Sequence, residues 1–335
     1  MKKFLPLLLL FCVIGCTYTV KKESQHDISK FTEIYYEPDY ASGFRIKSLP
    51  DDSTSLIIEV YSPDTARIVI PRGGFRRVVA MSSTYVAHLE IADRVDRLVG
   101  VSSPQYISSP VVRAMSLPDV GYDGAMNYER LLAVKPEIVM LYGVGGPSPI
   151  VPKLEELGIP YIYISDFSEQ LPLGRAEWLV ASGALTGADM RAVFDEIRAA
   201  YVPIKGEKAV MMNAPYGGTW FIPGMEGYMS RLIADAGAKI VAPQRSGSDS
   251  TPIDSEEALN ALTKADLWLC PGAATNRAEL DMAVPKAHFY GEIWNQTADF
   301  YESGAVRPDS VLRELKMIVQ GTTPADSLRY FYKVK

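Results

Sequence analysis

The chain has 335 residues, 47% of them hydrophobic and 22% charged, enough apolar material for one large or two medium cores. A net charge of −6 with no basic block argues against nucleic acid as a partner. Of the three cysteines, Cys12, Cys16 and Cys270, two lie in the first sixteen residues, so cleavage there leaves no internal disulfide framework.

Met1-Lys2-Lys3 gives a basic start, residues 4–14 an apolar run too short for a permanent bilayer span, and Val13-Ile14-Gly15-Cys16 a small-residue site ending in cysteine. Residues 1–16 thus resemble a bacterial lipoprotein signal, with the Cys16 thiol as lipid acceptor; an ordinary secretory signal is the alternative. Acyl chains on Cys16 would hold the protein on a membrane surface outside the cytoplasm. The stretch 17–23 carries no acidic run, which favours the periplasmic side. Residues 17–74 read as a polar tether and then a β-hairpin, 43–47 and 55–61 around the turn-forming Pro50-Asp51-Asp52, decorating a first lobe.

That lobe is expected over 75–187. Short apolar strands at 77–81, 98–101 and 161–164 alternate with helices at 85–92, 151–157 and 173–185, and 127–143 reads as one helix running into one strand. Such alternation specifies an α/β fold with a parallel sheet covered on both faces. Ser82, Ser83 and Thr84 after the first strand leave free N–H groups at its carboxyl end, where open α/β sheets place ligands.

A connecting helix is predicted over 188–204, because Met190, Val193, Phe194, Ile197 and Tyr201 form one apolar stripe. About sixteen helical residues would span about 24 Å, enough to bridge two lobes. Beyond it, over 205–335, the pattern repeats: the strand 208–212 mirrors the one at Val78, and 256–269 mirrors 129–141. The expected architecture is two Rossmann-like lobes joined by a single long helix, with a ligand cleft between them.

The lipoprotein start, the segment Asn127-Tyr128-Glu129-Arg130-Leu131-Leu132-Ala133-Val134-Lys135-Pro136-Glu137-Ile138-Val139 and the central helix resemble the periplasmic binding proteins of ABC importers for iron complexes, haem and cobalamin. Gly218-Thr219-Trp220-Phe221-Ile222-Pro223-Gly224 and the stretch from Trp294 to Asp309 are similar to the lipoprotein branch found in Bacteroidetes-type bacteria. The resemblance covers about residues 75–320. It implies capture rather than catalysis: a monomeric, lipid-anchored protein on the periplasmic side that binds an iron complex, a ferric siderophore or haem, and delivers it to a permease and its ATPase. Cobalamin is the alternative cargo. No resident cofactor is implied. The resemblance also implies docking on the permease through one surface glutamate per lobe, Glu129 and then Glu256, with Glu257 equally permitted by the repeat.

Rings at the carboxyl ends of strands suit broad, flat chelates. Tyr142 before Gly143-Val144-Gly145-Gly146, Tyr106 and Tyr122 in loops, and Trp220, Phe221 and Trp294 in the second lobe are the expected ligand contacts. Arg245 is the loop cation for an anionic group. Trp178 and Trp268 fall inside a predicted helix and strand and are assigned to cores. His26, His88 and His288 have no metal-ligand spacing, so no protein metal site is expected. An enzyme is disfavoured because no phosphate-binding loop, dinucleotide fingerprint or nucleophile elbow occurs. A haem-scavenging surface lipoprotein is the other rival, and it would need no docking glutamates.

Overall fold

The computed structural model describes residues 27–335, so the signal segment, Cys16 and His26 lie outside the described residues. First comes an antiparallel sheet in the order β1 (Glu33–Tyr36), β2 (Phe44–Leu49), β3 (Asp52–Val60) and β4 (Ala66–Ile70). The expected hairpin is its middle pair, with Phe44 opposite Val60 and Ile46 opposite Ile58. These four side chains are buried in the core of the first lobe, so the sheet is built onto that lobe. β1 and β4 are additional edge strands.

The first lobe runs through β5 (Val78–Ala80), α1 (Ser83–Ile91), β6 (Leu98–Val101), α2 (Pro110–Ala114), a short hairpin of β7 (Gly121–Tyr122) and β8 (Ala125–Met126), α3 (Tyr128–Ala133), β9 (Ile138–Leu141), α4 (Val151–Glu156) and β10 (Tyr161–Tyr163). Its sheet is parallel, in the order β10-β9-β5-β6. Every residue of β5 and β9 is buried, which is why both read as unbroken apolar runs.

α5 (Pro172–Leu185) is buried on nearly every side and packs against α1, β2 and the next helix, α6 (Arg191–Ala200). The connector α6 is ten residues long, shorter than the stripe predicts, or about 15 Å at 1.5 Å per residue. Upstream, Gly187 turns left-handed at φ +75°, and downstream Pro203 pushes Val202 away from helical angles. Met190, Phe194 and Ile197 of the stripe are buried in the first lobe's core. Tyr201 has already left the helix; it packs against both cores and donates a 2.6 Å hydrogen bond to Asp235.

The second lobe contains β11 (Ile204–Met212), β12 (Trp220–Ile222), α7 (Tyr228–Asp235), β13 (Ala236–Ile240), β14 (Thr251–Ile253), α8 (Ser255–Leu262), β15 (Leu267–Leu269), α9 (Arg277–Ala283), β16 (Glu292–Gln296), α10 (Ala298–Glu302), α11 (Pro308–Gln320) and β17 (Phe331–Lys333). Its main sheet is ordered β13-β11-β15-β16-β17, parallel except for the last pair, while β12 and β14 form a separate antiparallel pair. The fold is therefore two α/β lobes with parallel sheets.

Contacts beyond the connector tie the lobes together. Thr84 Oγ1 donates to the Tyr301 carbonyl at 3.0 Å. The buried Glu302 carboxylate accepts the backbone N–H groups of Ser108 and Ser109, the latter at 3.0 Å. Val306 is buried within the first lobe's core. Among the described residues no helix is long and apolar enough to cross a membrane.

Candidate functional site

Parallel strands direct their carboxyl ends to one edge of a sheet, and here the two edges face each other across the lobe boundary. From the first lobe come Ser82 after β5, Tyr142 after β9, Asp166 after β10 and Arg175 in the first turn of α5. The second lobe supplies Tyr228 at the start of α7 and Phe300 and Tyr301 on α10. Together they enclose a central cavity of about 270 Å³. A larger space of about 750 Å³, lined by Tyr106, Tyr122, Ser102 and Asp119, adjoins it through Ser82 and Tyr142. A third, of about 340 Å³, shares Arg175, Tyr228 and Tyr301 with the centre and reaches Met212 and Cys270. Spaces of this size are typical of small-molecule sites.

Asp166 forms part of the floor. It is 5% exposed, and burial raises its carboxyl to about 7 against the opposing pull of Arg175 and backbone N–H groups. Arg175 is held in place: its Nε and Nη2 donate to the carbonyls of Glu169 and Phe167 at 3.2 and 2.8 Å, and its guanidinium lies 4.0 Å from the Tyr228 ring centroid. It is the only Lys or Arg among the described residues lining these three cavities. Burial also lifts the phenols of Tyr142 and Tyr228, the latter to about 12. These side chains therefore present rings and O–H donors at neutral pH, not phenolates.

Tyr142, Tyr106 and Tyr122 line the cleft; Tyr142 is half-buried, and the other two are largely exposed at its rim. Phe221 is exposed on β12 but lines none of the three cavities. Two expected contacts are corrected. Trp220 is 1% exposed, donates its indole N–H to the Met212 carbonyl at 2.9 Å and stacks on Trp268 at 6.0 Å between centroids. Trp294 is fully buried on β16, its indole N–H directed to Glu292. Both rings belong to the second lobe's packing. Arg245 is exposed and lines none of the three cavities. Trp178 and Trp268 are core residues.

Asp166, Arg175, Tyr228 and Tyr301 are cleft residues that the ring-based reading misses. Trp220→Phe, which removes a buried N–H donor and part of a packed ring, should cost about 2 kcal/mol in urea unfolding while leaving the affinity of the folded fraction unchanged. A tenfold loss of affinity with unchanged stability would return Trp220 to the site.

Among the described residues no cluster of three His, Cys, Asp or Glu is placed to hold a metal. His88 is fully buried; its Nδ1 lies 2.7 Å from Ser182 Oγ, and burial pushes it down to about 3. Cys270, at the end of β15, is likewise buried and pushed up to about 12.

Glu129 and Glu256 occupy equivalent places. Asn127 caps α3 by accepting from the N–H of Arg130, Asp254 caps α8 by accepting from that of Glu256, and each glutamate is the second residue after its cap. Both are exposed, and among the described residues neither has an ion-pair partner. Glu257, also exposed, stands one place further along the helix.

Residues 184–290 match the family described as periplasmic binding protein. An uncharacterised lipoprotein of Methanocaldococcus jannaschii is 21% identical over 300 residues, 82% of this chain and 72% of its own. The vitamin B12-binding protein of Yersinia pestis is 31% identical over 96 residues, 29% of this chain and 33% of that protein. In fold, the chain is similar to a periplasmic haem-binding protein of Pseudomonas aeruginosa, with a TM-score of 0.57 at 17% identity, covering 78% of this chain and 98% of the other.

Proposed function

We propose that this chain, a member of the periplasmic binding protein family, is the lipid-anchored capture component of an ABC importer and carries a metal chelate of the corrinoid class between its lobes. The observation that carries the reading is the balance of the cleft: broad aromatic walls, a buried carboxylate, and a single cation, whose Nε and Nη2 are held by backbone carbonyls and whose guanidinium packs on the Tyr228 ring. Haem presents propionates and many ferric siderophores are anionic, so both call for free cations at their polar edge. A corrinoid presents a flat ring edged with amides, which suits aromatic walls and acceptors. This shifts the preference from the iron complexes that the family resemblance brings forward to the cobalamin alternative.

Cys16 would carry the anchor on the periplasmic side, and Glu129 and Glu256 would meet arginines of the permease. The equivalent cap positions of these two glutamates favour Glu256 over Glu257. Calorimetric titration of the detergent-solubilised full chain against cyanocobalamin, haemin and representative ferric siderophores tests the proposal. Tight one-to-one binding of cyanocobalamin alone is the expected result. Tight binding of haemin or a siderophore without cyanocobalamin binding would restore the iron-complex reading. If none binds, the scavenger and enzyme rivals reopen.

A further inference from the structure

Asp166 is a buried carboxylate in the cleft with no side-chain hydrogen-bond donor among the described residues. It is 5% exposed and lines the central cavity. The backbone N–H groups of the Asp166–Phe167 turn lie against it. The neighbouring side chains that could serve it are turned elsewhere. Arg175 on α5 donates from Nε and Nη2 to the Glu169 and Phe167 carbonyls and acts on Asp166 through its charge, not through a hydrogen bond. Tyr85 on α1 is fully buried, and its hydroxyl is directed to the Ile164 carbonyl at 2.7 Å and the Leu141 carbonyl at 3.3 Å. Glu169, three residues on, is occupied by the N–H groups of Ser42 and Gly43 and by the Trp178 indole. Tyr142 after β9 and Tyr228 across the cleft complete the wall, and both phenols stay protonated. A buried acceptor of this kind is stabilised when a donor arrives and penalised when an anion does.

We propose that Asp166 is the specificity-determining residue of the cleft floor: it accepts hydrogen bonds from an amide or other uncharged donor on the bound chelate and rejects a ligand that places a carboxylate there. Specificity of this kind works through the repulsive partner as much as the attractive one. The inference rests on the corrinoid reading above.

The test compares cyanocobalamin with its peripheral monocarboxylic acids, in which one side-chain amide is hydrolysed to the acid, by calorimetry on the detergent-solubilised full chain. The wild type should prefer the amide over at least one of the acids by about tenfold or more at pH 8. Protonation of Asp166 lets the carboxyl donate as well as accept, so the preference should shrink by pH 6. Asp166→Asn should remove most of the discrimination and its dependence on pH. Asp166→Ser, smaller and uncharged, should do the same, so the conclusion does not hang on the folding of one variant. Binding of cyanocobalamin without discrimination, or discrimination that survives in both variants, overturns the role of Asp166 and leaves the corrinoid reading standing. Failure of the wild type to bind cyanocobalamin overturns that reading, and this inference with it.

Discussion

Glu177→Ala should lower the unfolding free energy of the first lobe by about 3–5 kcal/mol, because it strands several backbone donors that each cost about 1–3 kcal/mol when left unsatisfied. Glu177 is fully buried in α5 and has no ion-pair partner among the described residues. Instead, Oε1 accepts from the Tyr36 hydroxyl at 2.7 Å and the Asp39 N–H at 2.8 Å, and Oε2 accepts from the N–H groups of Tyr40 and Ala41 at 2.8 and 2.7 Å. Glu169 continues the clamp on Ser42 and Gly43, where the chain runs so close to Trp178 that a Cβ on Gly43 would lie 2.5 Å from the ring. Two carboxylates thus hold the segment that leads from β1 into β2. Alanine at 177 would strand three backbone donors in a place that water reaches poorly. Glutamine keeps the shape but turns an NH₂ toward N–H donors, so it should also destabilise, though less than alanine. Urea denaturation measures the loss. Limited proteolysis should show residues 27–74 cut first in Glu177→Ala, with the rest of the chain protected. A change below 1 kcal/mol with no new cleavage would mean that the apolar face of the sheet alone holds the extension.

The alternation of strand and helix is legible because the buried parallel strands are short apolar runs, one of them, Val78–Ala80, followed directly by the capping Ser82. The middle hairpin is legible from Phe44 and Ile46, whose alternation marks one buried face. β1 and β4 are not, since edge strands bury little and need no strict pattern. Trp220 illustrates how ring type misleads. In Trp220-Phe221-Ile222 the period of two turns the first and third side chains inward, at 1% and 0% exposure, and leaves Phe221 outside. That period was present in the sequence, and it outweighs any preference of an aromatic for a ligand. Arg175 and Glu177 carried a different signal: charges inside a helix otherwise apolar on every side must have partners, one at the cleft and one at the clamp. Asp166 announced itself only by its place after an apolar strand. Its burial depends on how α1 and α5 close over that strand end, which no local pattern encodes.

Reversal of both Glu129 and Glu256 to lysine should abolish uptake while leaving ligand affinity unchanged and lowering the melting temperature only slightly, since each lysine opposes the dipole of its helix. Each carboxylate is exposed in the first turn of a crossover helix, α3 leading into β9 and α8 into β15. Such a helix runs against its strands, so its N-terminus stands at the carboxyl edge of the sheet, beside the mouth of the cleft. On the proposed function, each glutamate would meet the permease from its own lobe. Loss of one hydrogen-bonded charge pair across an interface costs about 2–5 kcal/mol, and 1.4 kcal/mol is a factor of about ten. Two reversals should therefore weaken docking by at least about a thousandfold. Single reversals should each give an intermediate defect, and Glu257→Lys should give much less, because its carboxylate is turned about 100° around the helix from that of Glu256. Transport into proteoliposomes containing the permease and ATPase, alongside calorimetry on the free protein, separates the two quantities. Equal uptake by the double variant and the wild type would remove the permease-docking role of these glutamates and favour a protein that passes its ligand to a different receptor.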